Sequence, residues 1–194
     1  MHMTAVLLAA GQSKRMGQSK QLLSLADKPV IRWCLDGLLA GGVDDIVVVL
    51  GPTGREIANA IDGYSVRVVW NTDPDSDMAG SVRQAISALP EKATAVMILP
   101  VDHPAVKPET IRIIADTSQK FPDRIILPVY KGSRGHPVVF PRPVIEELDT
   151  LPTLRDIVHR SAGRLQQIEV DDEGILLNLN TPEDFREIVA RFSR

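Results

Sequence analysis

Short, β-rich apolar runs alternate with amphipathic stretches over residues 4–119, and that rhythm constrains the fold more than any other feature of the chain. Ile46–Leu50 is apolar throughout, the pattern of a strand covered on both faces. A strand buried on both sides needs helices above and below it, so the order strand, helix, strand predicts βα units around a mostly parallel sheet. Strands are predicted over residues 4–8, 46–50, 66–70 and 94–99, and helices over 29–40, 53–61, 79–89 and 108–119. Gly41-Gly42 stops the first helix, and Pro108 starts the last of these four. Past residue 120 the rhythm changes. Strands are predicted over 124–128 and 137–140 about a glycine-containing hairpin or exposed loop at 131–135, which implies an antiparallel element. Helical pieces over 143–149 and 154–159, strands over 165–170 and 175–179, and a closing helix over 182–192 capped by Thr181 complete the reading. No linker splits the chain, so one domain over 1–194 is expected, an α/β Rossmann-like, mostly parallel sheet flanked by helices with a small antiparallel β excursion.

Composition narrows the partners. With 44% hydrophobic and 24% charged residues the chain can bury a core, which excludes a disordered segment. A net charge of −3 gives no global field for nucleic acid or an anionic membrane, so an anionic ligand has to be held by local charges. Cys34 is the single cysteine, which excludes an internal disulfide and a multi-cysteine metal site. The apolar run 5–10 is too short for a signal peptide, and a cytoplasmic protein is expected.

The chemistry concentrates in residues 8–20, directly after the first strand, where open α/β sheets bind ligands. Leu8, Ala9, Ala10, Gly11, Ser13 and Gly17 are small enough, or placed closely enough, for the backbone to approach a ligand and aim N–H groups at it. Arg15 and Lys20 add the positive charge a triphosphate needs. Gly11 and Gly17 enclose five residues and Gln18 follows, so this is not a P-loop, and it does not read G-x-G-x-x-G. A basic surface loop is the plain alternative.

The run Leu-Ala-Ala-Gly-Gln-Ser-Lys-Arg-Met-Gly-Gln-Ser-Lys at 8–20 resembles the signature of the molybdenum-cofactor nucleotidyltransferases throughout. The resemblance continues at Asn71, at 78–83, at 100–104, at 135–140 and at 178–184, almost the whole chain. It implies a fold like that of the nucleotide-diphospho-sugar transferases, with residues 3–120 binding nucleotide and 121–194 forming the acceptor side and part of the metal site. It implies Mg²⁺-dependent transfer of a nucleoside monophosphate to molybdopterin or molybdenum cofactor, and Ala9-Ala10-Gly11 looks like the branch that uses CTP. A GTP-using enzyme, transfer to another phosphorylated acceptor such as a sugar phosphate, and a non-catalytic nucleotide-binding partner of a molybdenum enzyme are the alternatives. A molybdenum enzyme or its chaperone is a further partner the resemblance suggests.

Asp102 closes the fourth strand between Pro100 and Pro104, a position that suits either a Mg²⁺ ligand or a plain strand–turn junction. The resemblance favours the metal, and carries a second contact onto Asn180, with Asn178 expected on the same face of a strand. Arg15, Lys20 and Asp102 are the expected catalytic groups. Asn71 could reach a base or ribose or simply end its strand, and Ser81 and Arg83, in the first turns of a helix, could meet phosphate, with a surface ion pair the alternative for Arg83. Asp73, Asp75 and Asp77 read as a solvated acidic loop, Asp77 standing where the family usually has glycine. His136, by resemblance, lies near the acceptor. It is not needed as a base, because a phosphate acceptor is already anionic.

Overall fold

The computed structural model describes residues 2–13 and 17–192. Arg15, one of the expected catalytic groups, lies outside the described residues.

Strand β1 (Met3–Ala9) occupies the middle of the main sheet. After a 3-10 turn at Lys20–Leu22 and a small antiparallel pair, β2 (Ser24–Leu25) and β3 (Lys28–Pro29), the chain forms α1 (Val30–Ala40), β4 (Ile46–Leu50), α2 (Arg55–Ala60) and β5 (Arg67–Trp70). It continues with α3 (Met78–Ser87), β6 (Ala95–Pro100), α4 (Pro108–Lys120), β7 (Ile125–Tyr130), β8 (Ser133–Arg134) and β9 (Val138–Pro141). The last part holds α5 (Arg142–Ile145), α6 (Leu154–Arg160), β10 (Leu165–Glu169) and α7 (Pro182–Phe192).

The order across the main sheet is β5-β4-β1-β6-β9-β7-β10, with β8 paired to β7. Strands β4, β1, β6 and β5 run parallel, β9 runs against β6 and β7, and β10 is parallel to β7. The excursion read from the sequence is therefore part of the same sheet, with β9 slotted between β6 and β7. Its hairpin at 131–132 places β8 back on β7, Tyr130 opposite Ser133.

Side chains of β1 and β4 alternate between two apolar layers, as period-two strands require. Ala5, Leu7 and Ala9 join Ile46, Val48 and Leu50 against Leu35 of α1 and Ile111 of α4. Val6 and Leu8 join Val47 and Val49 against Val82 of α3, Val144 of α5 and Ile157 of α6. Each fully buried leucine or valine here stabilises the fold by about 1.5–3 kcal/mol relative to exposure. That double burial makes the central strands rigid, so their C-terminal ends form a fixed platform.

One element departs from the sequence reading. Residues 175–179 are not a strand: a 3-10 turn at Glu173–Ile175 is followed by an irregular run to Asn180. The backbone groups of this run bond elsewhere, with His136 N–H donating to the Ile175 carbonyl at 3.0 Å and Leu179 N–H to the Asp102 carbonyl at 2.8 Å. Buried Asp172 fixes the turn, accepting from Lys107 N–H at 2.9 Å, Thr110 hydroxyl at 2.7 Å and Gly174 N–H at 2.9 Å. The segment thus crosses the end of β6 as a tether rather than extending the sheet. The shared strand face expected for Asn178 and Asn180 does not exist, and Asn178 is exposed.

Candidate active site

The order of strands reverses between β1 and β6, and at their C-terminal ends a cleft of about 570 Å³ opens. Such switch points are where open α/β sheets take ligands. Leu8, Ala10, Gly11 and Ser13 line one side, Pro100 and Asp102 the floor, and Asn71, Asp73, Asp75, Asp77 and Ser81 the far wall, with Lys20 and Asn180 at one end. Nine of the residues expected from sequence therefore meet in one place: Leu8, Ala10, Gly11, Ser13, Lys20, Asn71, Ser81, Asp102 and Asn180.

The loop after β1 is shaped by a residue the sequence reading passed over. Gln21 is buried, and its amide nitrogen donates to the carbonyls of Ala9 and Gly11, both at 2.8 Å. Its amide oxygen accepts from the hydroxyls of Ser19 at 2.9 Å and Ser13 at 3.3 Å. Ser13 Oγ in turn accepts from Lys20 N–H at 3.1 Å. Ser13 is held at φ +52° and Gly17 at φ +67°, the left-handed region that makes glycine apt at position 17. Gly51, at the end of β4, is a second residue missed: a Cβ there would lie 2.7 Å from the Ala10 carbonyl oxygen, so its smallness lets the loop lie close over β4. Nothing but the general use of glycine at close approaches could have found it. Ala9 and Gly17 border a second hollow of about 430 Å³ on the α2 side of the loop.

Lys20 is not the exposed loop lysine its sequence position suggests. Its side chain is 13% exposed, and its ammonium donates to Asp102 Oδ2 at 3.0 Å and to Asn180 Oδ1 at 3.2 Å. Asn180 is held there by the start of α7. Asp184 accepts from the N–H groups of Asn180 at 3.0 Å and Thr181 at 2.8 Å, while Asp184 N–H donates to the Thr181 hydroxyl at 3.2 Å. Burial works against the ionised Asp184 carboxyl, but these N–H and hydroxyl donors outweigh it and hold its pKa below the usual aspartate range. The expected Thr181 cap thus doubles as the support for Asn180.

Asp102 Oδ1 is buried without a hydrogen-bond partner among the described residues. A buried carboxylate oxygen left open next to a cleft suits a hard cation. One carboxylate and one amide carbonyl, with the remaining positions left to phosphate and water, is the sparse donor set Mg²⁺ or Mn²⁺ accepts. The residues fit a divalent metal bound together with a nucleotide.

The far wall is built differently from the expectation. Asn71 is buried and its amide nitrogen donates to the hydroxyls of Ser76 at 2.8 Å and Ser81 at 3.0 Å, so it pins the acidic loop to α3. Asp77 caps α3 by accepting from Gly80 N–H at 2.8 Å, which explains a carboxylate at that place. Gln12 reaches across the cleft mouth to the Pro74 carbonyl at 2.8 Å.

Two expected site residues line neither hollow. Arg83 donates to the carbonyls of Leu148 at 3.1 Å and Leu151 at 3.0 Å, so its guanidinium braces the 148–151 segment instead of lining the cleft, and among the described residues it makes no ion pair. His136 packs on His103, ring centroids 4.7 Å apart, and His103 Nε2 is 3.8 Å from Asp102 Oδ1. His136 therefore meets the site only through His103, the neighbour of Asp102 in the chain. Lys131, Ser133 and Arg134 are exposed at the hairpin.

Burial, then the neighbouring His103, pushes the His136 pKa down to about 4 despite the pull of Asp102. Between pH 6.5 and 4 the unfolded chain binds a proton that folded His136 refuses, so this contribution is fully present above pH 6.5 and lost as the pH falls towards 4. The loss is at most about 3 kcal/mol. His103, lowered first by burial, adds in the same direction. His136→Gln is expected to flatten part of the fall in urea midpoint between pH 7 and pH 4.5. An unchanged slope would show that His136 does not carry it.

A mixed sheet with a cleft of about 570 Å³ at its switch point defines a ligand-binding α/β protein. The MobA-like NTP transferase domain matches residues 5–172, and the chain belongs to that family of nucleotidyltransferases. It is 25% identical over 192 residues to the molybdenum cofactor cytidylyltransferase of Escherichia coli, covering 97% of this chain and 96% of that one. It is 30% identical over 144 residues to the nicotine blue oxidoreductase of Paenarthrobacter nicotinovorans, covering 70% and 69%. Among solved structures, Rv0371c of Mycobacterium tuberculosis superposes with a TM-score of 0.84 at 31% identity over 98% of both chains. A manganese complex of the same protein superposes with a TM-score of 0.78 at 30% identity over 98% and 99% of the chains.

Proposed function

We propose that the protein transfers CMP from CTP to molybdopterin or its molybdenum-loaded form, with Mg²⁺ as the metal and pyrophosphate as the second product. The observation that carries this reading is the convergence of Asp102 and Asn180 on Lys20, whose ammonium lies 3.0 and 3.2 Å from their oxygens, at the end of a backbone cradle. An acceptor phosphate oxygen attacks the α-phosphorus of the nucleotide, the bond to the β-phosphate bridging oxygen breaks, and pyrophosphate leaves with that electron pair. No proton needs to be removed from an acceptor that is already anionic. Such a step needs alignment and charge neutralisation, which preorganised N–H groups and cations supply.

Residues 10–13 cradle the phosphates, and Lys20, with Arg15 of the same loop, neutralises the departing pyrophosphate. Asp102 and Asn180 would hold the metal, which would supply neutralisation of phosphate charge. Residues 3–120 and 121–194 act as one nucleotidyltransferase domain. Among the described residues no helix is long and apolar enough to cross a membrane. The CTP preference is supported by Ala9-Ala10-Gly11 and by the Escherichia coli relative.

The test is release of pyrophosphate from CTP, GTP, ATP and UTP with Mg²⁺ and molybdopterin. CTP-dependent release with nucleotide joined to molybdopterin is expected. Release from GTP alone overturns the base assignment, and none with any nucleotide overturns the reading. Pyrophosphate is the informative product because one relative in this fold is named for an oxidoreductase activity.

A further inference from the structure

Among the described residues lining the cleft Lys20 is the one cation, and it faces Asp102 and Asn180, while Asp73, Asp75 and Asp77 stand on the opposite wall. Its ammonium bonds to one oxygen of each group that would hold the metal. The other Asp102 oxygen, Oδ1, is buried and without a partner among the described residues, and His103 Nε2 at 3.8 Å is too far to satisfy it. An ammonium and a divalent cation cannot share these oxygens at close range, because both are positive and the pocket shields them poorly from each other.

We infer that Lys20 is the resident cation of this site: it stands in for the metal in the free protein and excludes it until nucleotide arrives. The inference rests on the assignment of Asp102 and Asn180 as metal ligands. Incoming phosphates give the ammonium a better partner, and its withdrawal from Asp102 and Asn180 opens their oxygens. Metal and nucleotide therefore bind together, and the free protein holds a divalent cation weakly. The device also keeps Asp102 neutralised, so the carboxylate can remain at the cleft floor without a metal.

The geometry of the tether supports this role. Lys20 begins a 3-10 turn whose N–H is fixed on Ser13 Oγ, while Asn180 is fixed by Asp184. The main chains of both partners are thereby anchored, and the mobile part is the lysine's alkyl stem. Moving one flexible side chain is enough to convert the site.

The test is Mn²⁺ binding followed through the electron paramagnetic resonance signal of free Mn²⁺, without nucleotide, for wild type, Lys20→Met and Lys20→Arg. Lys20→Met keeps the stem and removes the charge, and is expected to bind Mn²⁺ at least tenfold more tightly than wild type. Lys20→Arg keeps the charge and is expected to bind as weakly as wild type. Lys20→Gln, neutral with a polar head, is the parallel variant if the methionine form does not fold. Adding Asp102→Asn to Lys20→Met is expected to remove the gain, which ties it to this site rather than to the acidic loop. Neutral variants that bind Mn²⁺ no better than wild type overturn the inference. The underlying metal assignment fails separately if, with CTP present, Asp102→Asn alone leaves Mn²⁺ retention unchanged.

Discussion

Lys20→Ala is expected to slow pyrophosphate release by about 10³-fold, equivalent to about 4 kcal/mol of transition-state stabilisation. Lys20 is anchored on Ser13 and lines the cleft, and in the proposed reaction its charge lies where negative charge accumulates on the departing pyrophosphate. Stability should change much less. The ion pair with Asp102 is 13% and 18% exposed and opens onto the cleft, so water can take over the solvation of Asp102. A loss of about 1–2 kcal/mol is expected, between the values of surface and buried pairs. That corresponds to a drop in melting temperature of a few degrees for a chain of this size. A coupled pyrophosphate assay beside a thermal scan checks both halves. Activity within tenfold of wild type would remove Lys20 from the transition state, whatever happened to the melting temperature.

The central sheet was legible in the sequence because its determinants are local. Ile46–Leu50 is predicted to the residue, and β1 and β6 to within a residue or two at each end, because runs of buried β-branched and aliphatic side chains mark a doubly covered strand. The hairpin beyond residue 130 was legible from Gly132 and Gly135, but the insertion of β9 between β6 and β7 was not, because pairing partners are set by distant segments. Residues 175–179 misled for the same reason. Ile175 to Leu179 has strand-like composition, yet its backbone partners are His136 and Asp102, which no local pattern reveals.

The site divides along the same line. That Gly11, Lys20, Asp102 and Asn180 line one cleft was legible, because residue type and place after a strand are local features. Arg83 was misread because an arginine in the first turns of a helix has the same appearance whether it meets phosphate or, as here, carbonyls 65 and 68 residues away. His136, which the resemblance set near the acceptor, packs on His103 and does not line the cleft, because the ring it meets is brought to it by a distant segment. Gln21 was invisible because its role is defined by the carbonyls and hydroxyls around it rather than by its own chemistry.

That role makes Gln21 the site of the other large expected effect, and the most conservative substitution should be the most damaging for nucleotide binding. Gln21→Met preserves length and volume but leaves the carbonyls of Ala9 and Gly11 without their shared donor. The hydroxyls of Ser13 and Ser19, less buried, can turn to water. Losing the two inner bonds is expected to cost about 3 kcal/mol, read as a shift of the urea midpoint. Turnover should fall by about 10²-fold as the cradle loosens, because a displacement of an ångström at an aligning loop has effects of that size. Gln21→Glu keeps the oxygen that accepts from Ser13 and Ser19, yet a carboxylate has no proton to give and faces two carbonyl oxygens. It also places a negative charge directly beneath the phosphate cradle. Gln21→Glu is therefore expected to raise the KM for nucleotide more than Gln21→Met does, and to recover stability relative to Gln21→Met as the pH is lowered and the carboxyl gains a proton it can donate. If the two variants raise KM equally at neutral pH, the carboxylate of Gln21→Glu does not act on the nucleotide; if neither variant raises KM, the amide donors of Gln21 do not set the cradle.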